Sequence, residues 1–259
     1  MKLGRFIVET HCHAQRHAAR MSAEGEDADY ANLSQEMGTA VPADEADEDD
    51  AVIVYDNSDR VLRDMETYGV DMCVLLPGFG MTNEINRQII EENPGKFVAA
   101  AAPVQTKKKA LRGEEEWSWD AAINELDEWL SEDGFVMTGE GVPSDPTRKK
   151  SMDWEDRKDE VRQVFEVADK HGVPVRWHTG YVSGYAGGGE TGSVFDRLPD
   201  WSNPKLAGQL KGEFPDVPIV FDHGGMQAGW RETYVDDCCE IAATYDDVYL
   251  EIGLYWKDL

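Results

Sequence analysis

Two histidines one residue apart open the chemistry of this chain. The stretch "VETHCHA", residues 8–14, holds His11 and His13 around Cys12. Alternate residues of a strand point to the same face, so Glu9, His11 and His13 are expected on one face and Thr10 and Cys12 on the other. Two imidazoles so spaced can reach one metal ion, or they can simply mark where a strand meets solvent. The other histidines bear on that choice. His178 closes the apolar run "PVRWHTG" and His223 closes "PIVFDHGG". Four of the six histidines therefore stand at the carboxyl ends of apolar runs, which a scattered set would rarely do. Such a set points to a metal or catalytic cluster. Three imidazoles with an open position suit a catalytic zinc, which acidifies bound water and polarises a carbonyl. His171 closes a helical stretch before Gly172, where it can satisfy end carbonyls, and is read as structural. His17 is read as a surface residue, with substrate contact as the minor possibility. Glu140, at the end of "GFVMTGEG", is open between metal ligand, substrate contact and a bond to loop amides. Arg176 shares a strand face with His178. It is open between pairing a substrate carboxylate and packing its stem at the floor of the fold.

These residues need a scaffold that gathers strand ends. Seven runs have the near-continuous apolar character of parallel strands buried on both faces: "RFIVETH", "MCVLLP", "FVAAAAPV", "GFVMTGEG", "PVRWHTG", "PIVFDHGG" and "VYLEIG". Amphipathic stretches with caps and Gly or Pro stops alternate with them, over 57–69, 82–95, 118–134, 153–172, 202–214 and about 231–245. The order predicts an α/β fold, a TIM-type (β/α) barrel, with active residues at the carboxyl ends of its strands. An open doubly wound sheet is the alternative, but no G-x-G-x-x-G follows the first strand. Two stretches break the rhythm. Residues 14–56, with the acid run "ADEADEDD", are read as a long, partly mobile loop. "SGYAGGGETG", 183–192, is a surface loop or a lid.

Composition narrows the function classes. The 259 residues, 41% hydrophobic, are expected to form a single domain over 1–259. Acidic residues number 52 against 25 basic ones, giving a formal charge of −27. Such a surface repels phosphate backbones and anionic lipids, so neither nucleic acid nor membrane is an expected partner. Acid spread through every segment is expected of a folded protein adapted to high salt. The four cysteines form no C-x-x-C pair, and the start of the chain holds no secretory apolar region. A cytoplasmic protein is expected.

The pattern of H-x-H on the first strand, "HTG" on the fifth and "HGG" on the sixth resembles the amidohydrolase superfamily, and within it the amidohydrolase-2 branch. The resemblance runs from Phe6 to about Gly253 and rests on the four-histidine set, since each motif alone is weak. It implies a divalent metal, most often zinc with manganese as the alternative, held by His11, His13 and His178. His223 becomes the acid/base or polarising group. Glu9 stands where some decarboxylases of this branch place a ligand; with both histidines present it is expected behind the ligands. The implied activity is hydrolysis of an amide, ester or lactone bond in a small-molecule substrate. Non-oxidative decarboxylation of an aromatic acid is the alternative, which Trp177 and Trp230 near strand ends would suit. A third possibility is a truncated or non-catalytic metal-binding member, because the family's strand-eight aspartate has no counterpart here. Asp258 lies only a few residues beyond the seventh strand. The barrel is therefore expected to be incomplete at its C-terminus, with low turnover and open edges favouring association, as in a homo-oligomer.

Overall fold

The computed structural model describes residues 4–20, 29–31, 52–78, 80–140, 145–147, 154–179, 203–225 and 232–252. In chain order the elements are β1 (Val8–Cys12), β2 (Arg16–Arg20), β3 (Asp29–Ala31), β4 (Val52–Asp56), α1 (Ser58–Tyr68) and β5 (Met72–Leu75). Then come α2 (Asn83–Glu92), β6 (Phe97–Ala101), α3 (Val104–Arg112), α4 (Trp119–Leu130), β7 (Phe135–Thr138) and α5 (Trp154–His171). The chain continues through β8 (Val175–His178), α6 (Pro204–Glu213), β9 (Ile219–Asp222), α7 (Glu232–Thr244) and β10 (Val248–Leu250).

All seven expected strands form, and they run parallel. One sheet has the order β1-β5-β6-β7 and a second the order β10-β9-β8. The Thr138 amide donates to Pro174 O at 3.1 Å, which brings β7 beside β8. The strands thus follow one another in sequence order with helices between, the winding of a TIM-type (β/α) barrel. β1 and β10 stand at the two ends of the row. Among the described residues no strand pairs with their outer edges. Apolar side chains near those edges face solvent, with Phe6 67% and Ile252 64% exposed.

Period-two alternation sorts the strand residues into layers. Cys73, Leu75, Ala99 and Phe135 face outward onto Met65, Ile89 and Leu126 of α1, α2 and α4. Their neighbours Val74, Leu76, Ala100 and Met137 form a separate interior cluster. Val175, Trp177, Ile219 and Phe221 likewise pack outward against Phe165, Leu206, Leu210 and Cys238 of α5, α6 and α7. This leaves Arg176, His178 and Asp222 inward. α2, α4 and α6 start at side-chain caps, where Thr82, Ser118 and Asn203 accept the amides of Ile85, Ala121 and Lys205, whereas Asn57 before α1 makes no such bond.

Three findings differ from expectation. The stretch 14–56 is not without structure, because β2 pairs antiparallel with both β3 and β4. Such pairing depends on partners far apart in sequence, which local patterning does not reveal. Its acid run lies outside the described residues, as do the Gly-rich stretch 183–192 and Trp230. α3 was not expected either. It follows Pro103 and ends at Gly113 with φ 68°, carries three consecutive lysines and buries only Ala110, so its apolar periodicity is faint. Finally, β1 carries one more residue than β5 between the pairs Glu9–Cys73 and Cys12–Leu75. This bulge breaks strict alternation. Glu9 is exposed, and its carboxylate accepts the His11 backbone amide at 3.0 Å.

Candidate metal centre

The barrel's carboxyl ends bring the four histidines around one carboxylate. Glu140, just beyond β7, faces the Nε2 atoms of all of them. His13 lies 3.1 Å from Oε2, and His223 lies 3.1 Å from Oε1. His178 is 3.4 Å from Oε1 and His11 3.9 Å from Oε2. The rings also touch one another: the centroids of His11 and His13 are 5.2 Å apart, and His223 lies 4.9 Å from both His11 and His178. Gly139 makes Glu140's position possible. A Cβ there would stand 2.8 Å from the Ala102 side chain and 3.0 Å from Ala101 O. His223 begins a tight turn in which it and Gly225 take φ of 63° and 87°. A Cβ on Gly225 would meet the Tyr234 carbonyl carbon at 2.6 Å, so the second glycine of "HGG" is a steric requirement.

Behind this ring lies a layer of buried charge. Arg176 and Asp222 are both 0% exposed. The guanidinium donates to both Asp222 oxygens, the Nε bond being 3.3 Å, and to Thr10 O, and it contacts Met137 Sδ at 3.6 Å. It therefore ties β8 to β9, β1 and β7. Arg176 is not placed to hold a substrate carboxylate, because its donors are engaged inside the barrel. Glu251, just past β10, completes the layer. Its Oε2 is 3.1 Å from His11 Nδ1 and accepts the His223 amide at 3.1 Å. Through Glu251 the first and last parallel strands meet at their carboxyl ends.

The electrostatics follow from this packing. Burial alone would raise the Glu140 carboxyl. Hydrogen bonds from His13 and His223, with the charges of His178 and His13, outweigh it and hold Glu140 well below the usual carboxylate range. Burial pushes the Asp222 carboxyl up, against the pull of Arg176. Burial would lower His11, but its bond to Glu251 and the nearby Glu140 and Asp222 raise it overall.

Sequence reasoning had singled out Glu140, which the structure places at the centre of the four histidines. It missed Glu251, although the signal was available: a carboxylate ends the seventh strand run, "VYLEIG". Trp177, expected as a wall for an aromatic acid, is instead 1% exposed in the outer layer, because it alternates with His178 on β8. His171 binds Asp127 at 2.7 Å and so pins α5 to α4. His17 lies on β2, opposite Tyr55, and its side chain is outside the described residues. Cys12, Cys73, Cys238 and Cys239 are free thiols.

A family model described as Amidohydrolase matches residues 8–258. The chain belongs to the amidohydrolase family. Enzymes of this superfamily typically use a divalent metal. Among solved structures, an uncharacterized TIM-barrel protein from Bordetella bronchiseptica is similar, at 19% identity and TM-score 0.52, over 78% of this chain and 61% of that one. The amidohydrolase chain thus spans about three fifths of that protein's length. A 2,6-dihydroxybenzoate decarboxylase from Rhizobium is similar at 16% identity and TM-score 0.43, over 76% and 77% of the two chains. A probable 2-pyrone-4,6-dicarboxylic acid hydrolase from Acinetobacter baumannii is similar at 14% identity and TM-score 0.46, over 97% and 72%. At these identities the first likeness speaks for the fold, and the other two carry no further argument. A search of curated proteins found no match. Among the described residues, no helix is long and apolar enough to cross a membrane.

Proposed function

We propose that this amidohydrolase-family chain is a metal-dependent hydrolase acting on an amide, ester or lactone of a small-molecule substrate. One observation carries the proposal: four imidazole Nε2 atoms from β1, β8 and β9 converge within 3.1–3.9 Å of the Glu140 carboxylate.

The residues fit a divalent cation on two grounds. The Nε2 atoms of His11, His13 and His178 stand 3.1–3.9 Å from the Glu140 carboxylate, with His223 close enough to share the cluster with His11 and Glu140, and nitrogen with carboxylate oxygen is the donor set zinc and manganese accept. Charge balance agrees. Among the described residues three carboxylates, Glu140, Asp222 and Glu251, lie against His11 in a largely buried space, and one guanidinium, that of Arg176, pairs with Asp222. With neutral imidazoles two negative charges remain, which one divalent ion balances; without it, protonated imidazoles must do so. In this proposal His11, His13 and His178 hold the ion, zinc by preference, and Glu140, which faces all three, supplies the anionic ligand. A bound divalent ion acidifies water and polarises a carbonyl. His223, wholly buried with Nε2 on Glu140, is the group placed to carry a proton to or from the substrate. Asp222, paired with Arg176, forms a neutral, buried floor beneath the site.

Hydrolysis is preferred to decarboxylation because, among the described residues, neither the tryptophan nor the arginine that would suit an aromatic acid is open to a substrate. Trp177 points outward, and Arg176 is spent on Asp222. The test is elemental analysis of chelator-free protein, followed by a panel of lactones, esters, amides and hydroxybenzoates. About one divalent ion per chain is expected, lost in the double variant His11→Ala, His13→Ala, together with hydrolytic turnover. Full metal content in the double variant, or carbon dioxide release without hydrolysis, would overturn the proposal.

A further inference from the structure

We infer that Glu251 is a positioning residue that sets the tautomer of His11 and thereby selects the nitrogen His11 offers to a metal. The inference rests on the proposal that His11 is a ligand, but its own observations lie on the other side of the ring.

His11 Nδ1 has three polar neighbours. Glu251 Oε2 is at 3.1 Å, Arg176 Nη2 at 3.2 Å and Asp222 Oδ1 at 3.8 Å. A ring nitrogen carries either a proton or a lone pair. Two of these neighbours are carboxylates, which only accept, and one is a guanidinium, which only donates. Arg176 Nη2 carries two hydrogens, one given to Asp222 Oδ1 and one directed toward Nδ1, so Arg176 and Glu251 pull the tautomer in opposite directions. A lone pair on Nδ1 would accept from Arg176 but would set the nearer Glu251 carboxylate against it at contact distance, anion against lone pair. A proton on Nδ1 instead donates to Glu251. The Nε2 lone pair then points into the ring of histidines, toward Glu140. Carboxylate, imidazole and ligating nitrogen fall in line, the arrangement that fixes ring orientation and raises ligand basicity.

Glu251 is itself held in place. Its amide donates to Phe221 O at 2.9 Å, extending the β9–β10 ladder by one bond. The same Oε2 accepts the amide of His223, a non-glycine residue at φ 63°. One carboxylate oxygen thus orients a proposed ligand on β1 and the backbone of the proposed proton carrier after β9. It does so from the strand at the opposite end of the row. The carboxylate reaches these groups without taking part in the Glu140 contacts.

A competing role is ligation, since His11, Asp222 and Glu251 also bring ligand atoms within 4.8 Å of one another. Stoichiometry separates the two. Zinc alone is titrated into metal-free protein against a competing chelator dye, for the parent chain, Glu251→Ala and the isosteric Glu251→Gln. Nitrogen-15 NMR of the metal-free proteins reads the His11 tautomer. The expected result is one ion in every variant and a 10–100-fold weaker affinity in Glu251→Ala. Affinity should largely recover in Glu251→Gln, whose amide oxygen still accepts, and the protonated-Nδ1 signature should be lost only in Glu251→Ala. An unchanged tautomer and affinity in Glu251→Ala would overturn the inference. So would two ions in the parent and one in Glu251→Ala, which would make Glu251 a ligand. Failure of the parent to bind zinc would defeat the metal proposal instead, while the NMR arm would still test Glu251 independently.

Discussion

Replacing Arg176 by methionine keeps most of the stem's volume and removes the charge. Asp222 would then be a carboxylate with no exposed surface and no cation beside it. Thr10 O would also lose its guanidinium donor. Breaking one partner out of a buried ion pair costs about 3–5 kcal/mol, since the remaining charge stays desolvated. For a chain of this size each kcal/mol moves the melting temperature by about 2–4 °C, so a fall of roughly 6–20 °C is expected. Adding Asp222→Asn removes the orphaned charge and should recover a large part of the loss. The assay is urea unfolding followed by circular dichroism, on parent, single and double variants, with kinetics on whichever substrate the panel identifies. If Arg176→Met lies within about 1 kcal/mol of the parent, or the double variant is no more stable than the single one, Arg176 is not a barrel tie. If in addition KM alone rises, the guanidinium binds substrate and the assignment made here is wrong.

Four further outcomes are expected. The charge of −27 repels itself in the compact state and salt screens it, so melting temperature should climb through a potassium chloride series to molar concentration; a flat profile would remove the high-salt adaptation. Lys170, then His171, hold the Asp127 carboxyl below its ordinary value. A depressed carboxyl contributes stability above its unfolded pKa of about 4 and loses it as pH falls through the lower folded value. Asp127→Asn should therefore flatten the acid limb of a stability–pH profile. Gly225→Ala should cost about 1–3 kcal/mol from backbone conformation alone, and more from the 2.6 Å approach to Tyr234. Gly212→Ala, with 3.6 Å of room within α6, should be neutral or stabilise by up to about 1 kcal/mol, as urea midpoints would show.

Much of the architecture was legible in the chain itself, because its signals are local. Continuous Val, Ile and Phe runs require burial on both faces, and caps such as Thr82, Ser118 and Asn203 act within three residues of themselves. That is why seven strands, their parallel order and six helices could be read directly. The histidines were legible for a related reason. A residue that ends a buried strand must emerge at the carboxyl end of the sheet, whatever the sheet's exact shape. α3 escaped because lysines fill its exposed face and a single alanine is all it buries.

What tertiary structure alone decided is which strand end meets which. Alternation places Arg176 inward but cannot say that Asp222, Thr10 and Met137 converge on it from three other strands. It places Glu9 beside His11 and His13, whereas a bulge set by pairing with β5 turns Glu9 out to solvent. Glu251 stands 240 residues from His11 in sequence and 3.1 Å from it in space. No local pattern encodes that distance. It arises from the accumulated twist of seven parallel strands, which curls the row until its two ends face each other and their carboxyl-terminal side chains share one site.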